Sequence, residues 1–154
     1  MSNIKAAFGS KTAITITLTS LANAAAREST VIDNTSNSFL DALLRIQTNG
    51  QAGGTATLEV YVYSALGDTT YTDGATGSDA AFTAANILNA RLLTIVQMNA
   101  ATAVKAMSVS IANAFGGILP DKWGLIFKNN SGAALSATAG DHVIEYEGVY
   151  ATVV

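Results

Sequence analysis

From Gly54 to Ala65 the sequence reads GTATLEVYVYSA, and its side chains alternate without a break. Ala56, Leu58, Val60 and Val62 fall on one side, Thr57, Glu59, Tyr61 and Tyr63 on the other. A period of two is that of a β-strand. Glu59 in the middle of the second face sets that face against water or a polar partner, so the strand belongs to a sheet with one side in a core.

The same alternation recurs along the chain. Thr12 to Thr19 sets Ile14, Ile16 and Leu18 against threonines and reads as the first strand, which leaves residues 1–11 as an N-terminal arm. Leu21 to Arg27 reads as a helical turn or a small-residue crossover, and Glu28 to Asp33 as a second strand closed by the turn residues Asn34 to Asn37. Ser38 to Thr48 fits a strand with Leu40, Ala42, Leu44 and Ile46 on one face, or a helix with a Phe39, Leu40, Leu43, Leu44 stripe; the strand is the reading adopted. The glycine-rich link at 49–54 suits a hairpin into the central strand. Leu66 to Asn89 is a long loop punctuated by Gly67-Asp68, Asp73-Gly74 and Gly77-Ser78-Asp79, and long loops in compact domains tend to carry function. Strands are expected again at Arg91 to Met98, Val104 to Phe115, Trp123 to Lys128 and His142 to Val153, with a short edge piece at Leu135 to Thr138. About eight strands with frequent turns and no periodic helix predict an all-β fold, an antiparallel two-sheet sandwich of jelly-roll type, with residues 12–154 as a single domain.

Composition narrows the function. Charged residues make up 12% of the 154-residue chain, against ~25% in a typical domain. With a net charge of only -3, self-repulsion is weak, and part of the surface is expected to be covered by further copies or by a partner. The eight basic residues are scattered, which speaks against direct nucleic-acid binding. There are no cysteines, so disulfides, thiolate metal sites and cysteine nucleophiles are ruled out together. Lys5 and Lys11 ahead of AITITLTSLANAAA imitate a secretory signal; the run alternates where a signal is apolar throughout, and with Met1 leading the chain no cleavage is expected. No apolar run approaches the ~20 residues of a membrane span, so a soluble protein without membrane contact is expected.

Candidate chemistry is sparse. His142 is the only histidine, and as strand neighbours Asp141 and Val143 project away from it, which suits a partly exposed strand-start residue better than a triad member. Glu145 and Glu147 share a face about 6.8 Å apart by strand rise, yet a glycosidase pair flanks its sugar from different elements. Asp68, Asp73 and Asp79 do not match a calcium-loop spacing, and Asp beside Gly more often shapes a turn. Gly9-Ser10-Lys11-Thr12 lacks the upstream glycine and the Gly-Lys pair of a phosphate loop. Asn34-Thr35-Ser36 and Asn129-Asn130-Ser131 fit a glycosylation sequon but read as turns. Tyr61, Tyr63, Tyr71, Tyr146, Tyr150 and Trp123 offer aromatic area for a protein contact, a sugar, or the core. No enzyme, cofactor or metal is expected.

Several segments together carry a likeness: Arg27-Glu28-Ser29-Thr30 with Asp33-Asn34, Phe39-Leu40-Asp41-Ala42, Tyr71 to Asp79, Phe115 to Pro120 with Lys122-Trp123-Gly124, and Asn130-Ser131-Gly132. The chain resembles the small jelly-roll cement or decoration proteins of tailed-bacteriophage virions. That resemblance implies a non-enzymatic protein made and folded in the bacterial host cytoplasm, located on the virion capsid surface, bridging subunits of the phage major capsid protein and assembling with itself as a homodimer or homotrimer. As contact elements the chain itself offers the arm, with Ile4 and Phe8, and the central strand and long loop, with Tyr61, Tyr63, Tyr71, Asp73 and Asp79. A tail or neck adaptor and a carbohydrate-binding sandwich are the alternatives.

Overall fold

The structure, a computed structural model, describes residues 3–50, 57–98 and 105–153. It is all-β. The strands are β1 (Ile4–Ala13), β2 (Ala26–Glu28), β3 (Ile32–Asp33), β4 (Asp41–Thr48), β5 (Thr57–Ala65), β6 (Ala80–Phe82), β7 (Arg91–Gln97), β8 (Lys105–Ser110), β9 (Lys122–Asn130) and β10 (Val143–Val153). One sheet runs β1-β10-β4-β8 and the other β6-β2-β9-β5-β7, with β3 also against β9. All the strand pairs are antiparallel.

The order has a simple origin. The pairs β1–β10, β2–β9, β4–β8 and β5–β7 set the first half of the chain against the second half in reverse. The chain is thus a long ribbon folded back at residues 66–90 and rolled into two sheets, the jelly-roll arrangement. β6 arises within the fold-back and extends the second sheet beyond β2.

Alternation decides which side chains enter the core. Ala42, Leu44 and Ile46 of β4 are fully buried, and so are Leu58, Val60 and Val62 of β5. They meet Trp123, Leu125 and Phe127 of β9 and Ile144 and Tyr146 of β10 between the sheets. Each such aliphatic side chain contributes about 1.5–3 kcal/mol on burial. Trp123 meets Tyr146 edge-on, ring centroids 5.3 Å apart at 81°. The strand reading of residues 38–48 holds, with β4 starting at Asp41.

Some expectations are corrected. Ile14 and Leu18 do point inward, but the first strand is Ile4–Ala13; residues 14–19 cross from one sheet to the other and lie in no ladder. Hydrophobic alternation reports burial, and burial does not require ladder pairing. Most of the segment read as an arm is therefore a sheet strand. The hairpin expected at 49–54 is absent, since β4 and β5 belong to different sheets; residues 51–56 of that link lie outside the described residues. The second strand splits into β2 and β3 around Ser29, which bonds Leu125 through its own N–H and accepts from the Leu125 N–H at Oγ. The strand expected to reach Phe115 stops at Ser110 and passes into a 3-10 turn, Ala112–Phe115, tied to Asp41 Oδ1 by the Ala112 N–H. The edge piece at Leu135 to Thr138 is a single bridge, Gly50 to Leu135. No helix among the described residues is long and apolar enough to cross a membrane.

Candidate functional interface

The two outer faces of the sandwich differ. Over the β6-β2-β9-β5-β7 sheet lies the fold-back segment 66–90, and beneath it is a second small core. Tyr63, Ile126, Ala26 and Ala75 are buried there with Val31, Tyr61, Tyr71, Phe82, Ala84, Ile87 and Ala90 packed around them. Tyr63 is 0% exposed, donates its hydroxyl to the Ser29 carbonyl at 2.8 Å and meets the Tyr71 ring edge-on at 5.7 Å. Gly124 makes room for it, because a Cβ at that position would run into the Tyr63 ring. Burial first, and the Glu28 charge second, push the Tyr63 hydroxyl pKa far up.

Three carboxylates staple the segment down. Asp73 Oδ2 accepts the N–H groups of Leu88, Asn89 and Ala90 at 2.7–2.8 Å, and Oδ1 accepts the Asn89 side-chain amide. Burial acts to raise the Asp73 carboxyl, but these donors outweigh it and hold the pKa below the usual value. Asp79 accepts from Arg27 Nε at 2.5 Å and from the Thr17 N–H and hydroxyl; against the raising effect of burial, these too hold it low. Glu28, 1% exposed, accepts the Thr76 N–H and hydroxyl at 2.8 and 2.9 Å. Asp68 Oδ1 accepts from Thr70 N–H in an Asx-turn. The aspartates therefore do not converge, and among the described residues no three His, Asp or Glu side chains are placed to share a metal ion.

Of the contact residues expected from sequence, Tyr63 has no surface to offer a partner, and Asp73 and Asp79 spend their carboxylates within the chain. Tyr71 is half-buried against Tyr63. Tyr61 is also half-buried, donating to Glu59 Oε2 at 2.8 Å; burial, then Glu59, push its pKa up to about 12. Trp123 is 0% exposed, so neither its ring nor that of Tyr63 has a free face for a sugar. Glu28 and Gly124, which organise this side, fall within segments that carry the sequence likeness but are not among the contact residues expected from sequence.

His142 is pinned on both nitrogens. Nδ1 lies 2.9 Å from Thr48 Oγ1, and Nε2 lies 2.9 Å from the Ser136 carbonyl oxygen. A carbonyl only accepts, so Nε2 carries a proton, assigned here from the network. Ser136 Oγ donates to Asp141 Oδ2 at 2.6 Å instead of to the imidazole. The Ser136, Asp141 and His142 groups thus close a loop corner and do not form a nucleophile-base pair. Glu145 is engaged by Arg45 at 2.8 Å and Lys11 at 3.7 Å. The Arg45 hydrogen bond is the chief cause holding its carboxyl low, opposite to what a glycosidase acid needs.

Among the described residues no buried cluster forms over the outer face of the β1-β10-β4-β8 sheet. Pairing places Ile4 beside Val153, Ala6 beside Ala151 and Phe8 beside Val149 on this face. Ile4 is 75% exposed, Phe8 56% and Val153 68%. Next to this apolar end, Lys11, Arg45, Glu145 and Glu147 border a shallow depression of about 200 Å³ with Leu43 and Tyr146. Ile4 and Phe8 are the sequence-predicted contact residues that the fold brings together in the open. Comparison with known protein families, with characterised proteins and with solved structures returned no match.

Proposed function

We propose that the chain is a non-catalytic structural protein that attaches to the outside of an assembled phage capsid and stabilises it by bridging major capsid protein subunits. The observation that carries this reading is the asymmetry of the two outer faces. One is covered in part by the chain's own 66–90 segment, with Leu92 and Ile95 of β7 exposed beside it, whereas the other presents Ile4, Phe8 and Val153 bare beside a mixed-charge border. A bare apolar end with a polar rim is the anatomy of a protein contact. The sequence resemblance to decoration proteins supplies the kind of partner, and the many equivalent sites of a shell make modest contacts sufficient through avidity.

The test is the copy number of this chain in purified native particles, by quantitative mass spectrometry normalised to the most abundant shell protein. Copies in a fixed stoichiometric ratio to the shell support the proposal. A handful per particle would move the protein to the neck or tail, and absence would overturn the virion reading. Phe8→Asp should abolish binding to shells while leaving the circular dichroism spectrum unchanged.

A further inference from the structure

The end of the sandwich that carries Ile4 and Val153 is built unlike the rest. β4 accompanies β10 only as far as the Asp41–Val149 pair. Beyond it, the pairs Ala7–Tyr150, Ala6–Ala151, Lys5–Thr152 and Ile4–Val153 form a two-stranded ribbon with no third strand. β1 is also the rim of its sheet, and among the described residues no strand pairs with its second backbone edge. A two-stranded ribbon is marginal in water, and a free apolar edge is a template for another strand.

The free edge is bounded. Register shifts between Phe8 and Lys11, so a bulge at Gly9-Ser10 and the Lys11 charge end it on one side. What remains is Ile4-Lys5-Ala6-Ala7-Phe8, with Ile4, Ala6 and Phe8 on the outer face. This stretch is self-complementary. Antiparallel pairing with a second copy, Ala6 opposite Ala6, sets Ile4 opposite Phe8 twice and Lys5 opposite Ala7. Shifting the centre to Lys5 puts two lysines directly opposite each other, and shifting it to Ala7 puts Ile4 against Ser10 in the bulge. One same-face register therefore pairs every outer-face residue, Ile4, Ala6 and Phe8, with an apolar one and keeps the lysines apart, each opposite Ala7.

We propose that β1 pairs edge to edge with β1 of a second copy of this chain about a two-fold axis at Ala6, joining the two β1-β10-β4-β8 sheets into one continuous sheet. The contact is isologous and closes at two copies. Five residues a side fall well short of the ~800 Å² per partner of a standard interface, so the dimer forms in a concentration-dependent way.

A chain without cysteine makes the test direct. Ala6→Cys places two cysteines directly opposite each other with Cα atoms ~4.5–5.5 Å apart, within the Cα range of a disulfide. Mild oxidation should convert Ala6→Cys into a covalent dimer, while Ala106→Cys on the opposite rim, β8, stays monomeric. In sedimentation velocity the unmodified chain should approach twice the monomer mass with rising concentration. Phe8→Lys should remain a monomer, and Ile4→Asp with Phe8→Lys should restore the dimer by setting each new acid opposite a new base. No cross-link at Ala6, equal cross-linking at Ala106, or a monomer at every concentration would overturn the pairing. These measurements need no shell, so their failure is separate from failure of the capsid reading.

Discussion

The Tyr63–Gly124 contact shows how one residue can dictate another across a sheet. Tyr63 lies in the alternation of β5 on what looks like the solvent face, and it is buried because β9 offers a glycine opposite it and the 66–90 segment closes above. Gly124→Ala should therefore cost about 1–3 kcal/mol in urea unfolding, as overpacking does. In a Tyr63→Ala background the same change should cost almost nothing, a coupling that a double-mutant cycle reads directly. Tyr63→Phe should lower stability by about 1 kcal/mol, since it leaves the Ser29 carbonyl without its donor. Glu59 at the strand centre was legible as a polar-face residue, and it does bond Tyr61 and Lys128. That Tyr63, two residues from Tyr61, has no exposure was not legible, because nothing local says that a distant loop will cover it.

At the scale of elements, the 66–90 segment is a lid held by acids. Asp73 and Asp79 both have carboxyl pKa values below the usual one in the folded chain. A depressed carboxyl contributes stability that is present above its unfolded value of ~3.9 and lost as pH falls through the folded value, so the loss lies below about pH 4. Hydrogen-exchange protection of the Leu88, Asn89 and Ala90 amides should fall first on acidification, while β4 and β9 amides keep theirs. Asp73→Ala at neutral pH should raise the opening of the same three amides by about tenfold. Its backbone adds to this effect, since Asp73 sits at φ 58, where alanine is strained. The turn chemistry of Asp-Gly was readable here; the docking of the turn on Tyr63 and Ile126 was not.

For the whole molecule, every major pairing joins distant parts of the chain, the farthest being Ile4 with Val153. Refolding should accordingly occur on the millisecond-to-second scale of non-local β topologies, as followed by tryptophan fluorescence of the buried Trp123. Because Ile4 and Val153 are neighbours, a circular permutant joined there and opened at Gly116-Gly117 should keep the native circular dichroism spectrum. Period-two alternation in residues 41–48, 57–65 and 143–149, with turn residues between, was enough by itself to determine an all-β chain with one face of each strand buried. Burial is a property of each side chain and leaves its mark locally. Which strands are neighbours, that β4 and β5 part into different sheets, that Ile14 to Leu18 crosses between them, and which outer face stays bare were decided only by tertiary structure. Those choices depend on contacts between residues far apart in the chain, and several arrangements satisfy the same alternation until packing selects one.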